Sequence, residues 1–366
     1  MSRRARTLAV PSLAVPRLAV ALLALTIGLG TGSAVFSAPV ATALPTLQTE
    51  EGQTVIYDRY TWQRRELDKK LPLNEPWPGN EGPAIEAAFK RFGLDNPPVP
   101  ASIPVPSRIM TDVYLVNSVP NLTYLIDAGP AGLVLVDPGL TINADAIVKN
   151  VERLGFSRSA IKWVLNTHAH FDHSMADAYF QRLGAKILVG RADVAAVEKG
   201  TEATGRFAIP PSMMGSDGYP TLKDVVAVDD GERLALGNKT FYAIATPGHT
   251  AGSTCYLLTI DKKNILFGGD TLLFDYRLGF QGTPYADDVA YLASLKKLAR
   301  FYAALPPGKF SWDVLLPGHG AMVLDRAYLD VLKAVRQVEW DVIVGEEIKA
   351  LPFGDDAYRK YMYGRP

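Results

Sequence analysis

Thr167-His168-Ala169-His170-Phe171-Asp172-His173 follows the apolar run Ile161 to Leu165 and precedes a helical pattern from Ser174 to Leu183. The chain has five histidines, at 168, 170, 173, 249 and 319. Three fall in this one stretch, and the other two stand in identical contexts, Pro247-Gly248-His249 and Pro317-Gly318-His319. In extended backbone, residues two apart point the same way, so His168 and His170 can grip one ion. Asp172 and His173 come where the chain turns into a helix and can face a neighbouring ion.

Working outward, each further candidate stands just after an apolar run that reads as a strand. Phe241 to Thr246 precedes His249, Ile265 to Phe267 precedes Asp270, and Val314 to Leu316 precedes His319. Strand ends cluster at one edge of a sheet, and the glycines before these residues let short side chains reach a shared centre. Five imidazoles and two carboxylates suffice for two ions with three terminal ligands each and a bridging carboxylate. Catalytic zinc wants three protein ligands and an open position. Two such ions roughly 3.5–4 Å apart can hold a hydroxide, polarise a carbonyl and stabilise an oxyanion. Asp172 has a second possible role, orienting the attacking water and passing its proton to the leaving group.

The set His168-x-His170-x-Asp172-His173, then His249, Asp270 and His319, resembles the metallo-β-lactamase-fold superfamily, with its motifs in order from about Val113 to Leu324. The resemblance implies a four-layer αβ/βα sandwich with the site at the sheet edges. It implies a first metal on His168, His170 and His249, a second on Asp172, His173 and His319, and Asp270 between them. Asp137, in Leu133-Val134-Leu135-Val136-Asp137-Pro138-Gly139, resembles the family's first motif and is expected to support the ligands. Two zinc ions per chain are expected, with iron or manganese as alternatives. The family usually places a Gly within two or three residues after the Asp-His pair, and Ser174-Met175-Ala176 departs from that.

Within that resemblance, Asp270 points to the glyoxalase II and lactonase branches, because the true β-lactamases of this pattern lack a bridging aspartate there. The expected reaction is attack of a metal-held hydroxide on an ester, lactone, thioester or amide carbonyl of a small molecule. Alternatives are a β-lactamase-type amide hydrolase and an iron-dependent oxidoreductase of the same superfamily. Against the di-iron flavoproteins, His170 stands where they carry Glu, and no flavin domain follows. The Gly-Cys-Gly-Arg-like segment of glyoxalase II is absent, which argues against glutathione thioesters. A non-catalytic metal-binding protein is disfavoured by the full ligand set.

The 366 residues include 31 Gly and 26 Pro, and 48% are hydrophobic, enough for a sizeable core. Residues 1–43 read as a signal peptide: Arg3, Arg4 and Arg6, an apolar stretch from Leu18 to Leu29, and Ala41-Thr42-Ala43 as the cleavage signal. Export to the periplasm, cell envelope or medium follows, with no stable membrane insertion after cleavage. Removing Arg3, Arg4, Arg6 and Arg17 with that leader leaves 34 basic against 38 acidic residues. A slightly acidic chain without a basic tract disfavours nuclease activity, and no nucleic-acid partner is expected. Cys255 is the single cysteine, so an intrachain disulfide and Cys-rich zinc sites are ruled out, and its apolar run makes it a buried thiol.

Residues 44–105 read as a Pro-rich, irregular arm with one helix, Pro83 to Phe92, whose neighbourhood includes Trp62, Trp77 and Phe89. Residues 106–350 alternate strands and helices and form the catalytic domain, and 351–366 form a tail with aromatics from Tyr358 to Tyr363. The loop Gly205 to Thr221, with Phe207, Met213, Met214 and Tyr219, is a candidate apolar flap. Tyr276 and Arg277 are candidate oxyanion or carboxylate donors.

Overall fold

The structure, a computed structural model, describes residues 44–72, 75, 78, 82–201, 218–273, 286–303 and 312–349. The leader, Trp77, the flap residues Phe207, Met213 and Met214, Tyr276, Arg277 and the tail 351–366 lie outside the described residues. No helix among the described residues is long and apolar enough to cross a membrane.

Two sheets face each other. One runs β3 (Ser107–Met110), β4 (Val113–Asn117), β5 (Thr123–Asp127), β6 (Leu133–Val136), β7 (Ile161–Asn166), β8 (Lys186–Gly190) and β9 (Val226–Val228) in spatial order. The other contains β1 (Leu47–Gln48), β2 (Thr54–Ile56), β10 (Arg233–Leu236), β11 (Lys239–Ala245), β12 (Thr254–Ile260), β13 (Lys263–Gly269), β14 (Trp312–Pro317) and β15 (Met322–Val323). Its spatial order is β1-β2-β15-β14-β13-β12-β11-β10. The apolar runs are nearly continuous because both faces of the central strands are covered. Between the sheets lie Leu115, Tyr124, Val134 and Leu165 from one side and Phe241, Tyr256, Phe267 and Val314 from the other.

Of the helices, α1 is Arg59–Lys70, α2 Pro83–Arg91, α3 Ala144–Arg153, α4 Phe171–Ser174, α5 Asp177–Arg182, α6 Val194–Lys199, α7 Asp288–Ala303 and α8 Tyr328–Lys349. α3, α5 and α6 cover the outer face of the β3–β9 sheet through Ile147, Val151, Phe180 and Val197. α7 and α8 cover the other sheet through Tyr291, Leu295, Val331 and Val338. The result is the expected four-layer αβ/βα sandwich.

Residues 44–105 differ from the expected arm. β2 pairs with β15, Val55 opposite Val323, so this segment completes the edge of a sheet. It also holds a second helix, α1, capped by Asp58, whose carboxylate accepts from Thr61 N at 2.7 Å. α1 escaped apolar periodicity because Gln63 and Arg64 share its buried face with Leu67. α1 and α2 pack on each other around Leu67, Ile85, Phe89 and Leu94, with Trp62 reaching both that cluster and the core under α8.

The helix expected from Ser174 to Leu183 is two helices, α4 and α5. It starts earlier because the His170 carbonyl accepts from His173 N and Ser174 N, both at 3.0 Å, and it breaks where Ala176 N donates to Gly139 O at 2.8 Å instead.

At the base of α8, Asp330 is 4% exposed, and Gln53 Nε2 donates to its Oδ2 at 2.9 Å and to Arg326 O at 3.1 Å. Burial pushes this carboxyl up to about 7, over the opposing pull of Gln53, Lys333 and Arg65. A folded-state pKa above the unfolded value means that Asp330 costs nothing below about pH 4, and its cost is complete above about pH 7. Asp330→Asn should therefore raise stability by about 2–4 kcal/mol at pH 8 and change it little at pH 4. Urea melts at the two pH values test this; a variant less stable at pH 8 would show that the charge is needed.

Candidate metal centre

β6, β7 and β8 are parallel, as are β13 and β14, and β11 runs with β13 because each is antiparallel to β12. Their carboxyl ends therefore meet at one rim of the sandwich, the usual place for a site in such sheets. All seven sequence-predicted ligands gather there: His168 and His170 after β7, Asp172 and His173 on α4, His249 after β11, Asp270 after β13 and His319 after β14.

Two buried tyrosines tie the sheets together beneath the rim. Tyr124 on β5 donates to Pro317 O at 2.7 Å, and Tyr256 on β12 donates to Asn166 O at 3.0 Å. Each thus fixes, from the opposite sheet, a strand-end carbonyl next to a ligand segment. Backbone bonds continue the bracing: Thr254 N to Thr167 O, Leu122 N to Gly318 O and Gly318 N to Gly269 O are each 2.8 Å. Glycine is required at Gly248, where φ is +138° and a Cβ would lie 2.3 Å from Tyr291 Cα.

Nitrogen or oxygen atoms of three groups lie within 4.8 Å of one another: His168, His170 and His249; Asp172, His173 and His319; and His168, His173 and Asp270. His168 Nε2 and His170 Nδ1 are 3.0 Å apart. His319 Nε2 is 3.0 Å from Asp172 Oδ2 and 3.2 Å from His173 Nε2. Asp270 sits between the first two groups, Oδ2 at 3.5 Å from His249 Nε2 and 3.6 Å from His319 Nε2, and Oδ1 at 3.5 Å from His173 Nε2.

Asp137 lies under the centre, 2% exposed. Its Oδ1 accepts from Thr167 N at 2.8 Å, and its Oδ2 accepts from Thr167 Oγ1 at 2.7 Å and lies 3.0 Å from His173 Nδ1. That contact orients the His173 ring with Nε2 toward the cluster, as a carboxylate behind a ligating imidazole does. Pro120 O, 2.9 Å from His319 Nδ1, does the same for His319. Ser174, the first residue of the glycine-free stretch after the Asp-His pair, donates to His170 O at 3.0 Å. With its one proton so used, its Oγ accepts from Tyr219 OH at 2.6 Å, which anchors Tyr219 beside the ligand helix. Asp193, absent from the sequence-based set, is also buried at this rim. It stands three residues past the end of β8, so the strand-end rule contained the signal for it.

The electrostatics divide the cluster. Burial holds His168 well below its ordinary range, with His173 and His170 adding to the effect, and burial brings His170 down to about 4. These imidazoles are neutral and offer lone pairs. Burial opposes charge on His319 and His173 too, but Asp270 and Asp172 push His319 up to about 10 and raise His173. Burial likewise opposes charge on Asp172, yet His173 and His319 hold its carboxyl below the ordinary range, whereas Asp270 is raised by its burial. Among the described residues, Asp270 Oδ1 is buried without a hydrogen-bond partner. A buried carboxylate oxygen left unsatisfied among imidazole nitrogens suits a cation, so the residues present fit a metal centre. Cys255 is fully buried, and burial raises its thiol to about 11. It belongs to the packing.

The family model of the metallo-beta-lactamase superfamily matches residues 116–319, more than half of the chain. The chain belongs to that superfamily. A hydroxyacylglutathione hydrolase from Maricaulis maris is 33% identical over 171 residues, 45% of this chain and 54% of that protein. A probable metallo-hydrolase from Burkholderia pseudomallei is 30% identical over 205 residues, 51% of this chain and 65% of that protein. A probable polyketide biosynthesis zinc-dependent hydrolase, BaeB, from Bacillus velezensis is 30% identical over 192 residues, 51% of this chain and 69% of that protein. The chain thus spans about half to two thirds of the length of these relatives. Among solved structures, the subclass B3 metallo-β-lactamase BJP-1 of Bradyrhizobium japonicum superposes with a TM-score of 0.51 at 25% identity, covering 66% of this chain and 93% of that one. A B3 enzyme with an active-site glutamic acid gives 0.52 at 25% identity, covering 67% and 92%.

Proposed function

We propose that this chain is a two-metal hydrolase acting at the carbonyl of a small ester, lactone, thioester or amide. The observation that carries the reading is the adjacency of a three-imidazole group and an Asp172, His173, His319 group with Asp270 between them. His168, His170 and His249 would hold one ion, Asp172, His173 and His319 the other, and Asp270 would touch both. Bound there, two divalent ions supply Lewis-acid polarisation of a carbonyl and an activated water at neutral pH. The chain's own residues do the rest. Asp137 and Pro120 O fix the rings of His173 and His319, and the buried surroundings exclude bulk water from the Asp270 side. Asp172, 21% exposed, faces the accessible side, where it can take a proton and hand it to the leaving group.

The names of the hydroxyacylglutathione hydrolase and BaeB relatives support hydrolysis and zinc. Likeness to B3 β-lactamases favours a second reading, cleavage of a β-lactam amide; Asp270 favours the first. Elemental analysis of the purified full chain should find about two zinc per chain, and one iron would overturn the hydrolytic reading. A panel of a chromogenic cephalosporin, acyl-homoserine lactones, aryl esters and thioesters then separates the two substrate classes. The basic, apolar and Ala-x-Ala pattern of residues 1–43 supports export, and N-terminal sequencing of the mature protein should begin at Leu44.

A further inference from the structure

The turn after β8 carries Asp193 into the gap between two ligand segments that come from different sheets. Its Oδ2 accepts from Ala169 N at 2.9 Å and from Thr250 Oγ1 at 2.7 Å, and its Oδ1 accepts from Gly252 N at 2.7 Å. Ala169 lies between His168 and His170, and Thr250 follows His249. Asp193 is 1% exposed, so all three donors depend on this one carboxylate. The turn is packed hard against its partner: a Cβ on Gly252 would lie 2.5 Å from Asp193 N, and one on Gly190 would lie 1.9 Å from Gly252 O. Thr250 is held further by Ser253, whose Oγ accepts from Thr250 N at 3.0 Å.

We propose that Asp193 is the positioning residue of the three-imidazole metal group, fastening the His168–His170 segment to the His249 segment. It rests on the reading that this group holds a metal. Asp193 acts beside the ligands, through the Ala169 and Gly252 backbone N–H groups and the Thr250 hydroxyl. The hydrogen-bond inventory makes this specific to a carboxylate. A carboxylate accepts at both oxygens, whereas an amide of the same shape accepts at one and donates at the other. In Asp193→Asn the amide NH2 must face either Ala169 N–H or Gly252 N–H, so one buried donor loses its partner whichever way the amide turns. A residue that merely filled space would tolerate that change.

Zinc titration of the metal-free full chain against a chromophoric chelator tests it, with cobalt(II) absorption reporting the two sites separately. Asp193→Asn should weaken the three-imidazole site by about 10–100-fold, the usual effect of losing a partner behind the ligands, and leave the Asp172, His173, His319 site near wild type. In the metal-free protein, amide hydrogen exchange at Ala169 or Gly252 should become faster. If the variant does not fold, Thr250→Val removes one donor at constant volume and should weaken the same site by about 10-fold, with Thr250→Ser restoring it. Wild-type zinc affinity and wild-type exchange in a folded Asp193→Asn, or wild-type affinity in Thr250→Val, would overturn the assignment. A wild-type chain that binds no metal would instead sink the two-metal reading, and exchange at Ala169 and Gly252 would still report on the fastening.

Discussion

Asp172→Ala should lower turnover of any substrate the wild-type chain hydrolyses by about 10²–10⁴-fold, the range for loss of a positioned acid–base group. The expectation rests on where this carboxylate sits. His168, His173, His249 and Asp270 are buried, whereas Asp172 and His319 are 21% and 18% exposed and therefore border the accessible side of the centre. Asp172 Oδ2 lies 3.0 Å from His319 Nε2 and Oδ1 lies 3.9 Å from His173 Nε2, so one partly exposed carboxylate faces two ligand imidazoles. The alanine variant loses an oxygen ligand as well as a proton carrier, so the two losses need separating. Asp172→Asn keeps the size and one ligating oxygen but cannot carry the proton. It should retain more metal than the alanine variant and still lose turnover. Measuring kcat alongside metal content decides the matter: an Asp172→Ala variant within threefold of wild type would remove Asp172 from the mechanism.

The centre was legible because its residues carry their own local signals. Each ligand follows an apolar run that could only be a strand, and two of them share a Pro-Gly-His turn. β6 was readable residue for residue, since both faces of the strand are buried and its sequence, Leu133 to Val136, is apolar throughout. What stayed hidden depends on distant partners. β15, of two residues, exists because Met322 and Val323 find Ile56 and Val55. β9 and β10 end their sheets as short strands, where little apolar pattern is needed. The polar buried face of α1 depends on partners outside the helix, such as Leu94 O accepting from Gln63 Nε2 at 2.7 Å. Asp193 stands past a strand end like the ligands, but its role comes from Ala169, Thr250 and Gly252, up to 59 residues away.

The second large effect is expected from the smallest change, Gly318→Ala. Gly318 has no left-handed backbone to protect, so the argument is one of space alone. A Cβ there would lie 2.5 Å from Asp270 Oδ1 and 2.5 Å from His173 Cε1, closer than carbon contacts allow. The backbone cannot withdraw easily, because Gly318 N donates to Gly269 O and Gly318 O accepts from Leu122 N, both at 2.8 Å. His173 cannot yield freely either, being held at Nδ1 by Asp137. The methyl group must therefore displace Asp270, the carboxylate between the two groups, or tilt His173 away from His319. Overpacking of this kind costs about 1–3 kcal/mol of stability, which a chain of this size can absorb. Its effect on the centre should be far larger, since a displacement of about 1 Å can cost 10²-fold in rate. A folded Gly318→Ala protein should hold about one zinc in place of two and lose at least about 10²-fold in turnover, with the loss in kcat rather than KM. Retention of two ions and of turnover within threefold would show that Asp270 and His173 have more room than their spacing here allows, and the tight packing of the shared carboxylate would cease to explain the Pro-Gly-His turn.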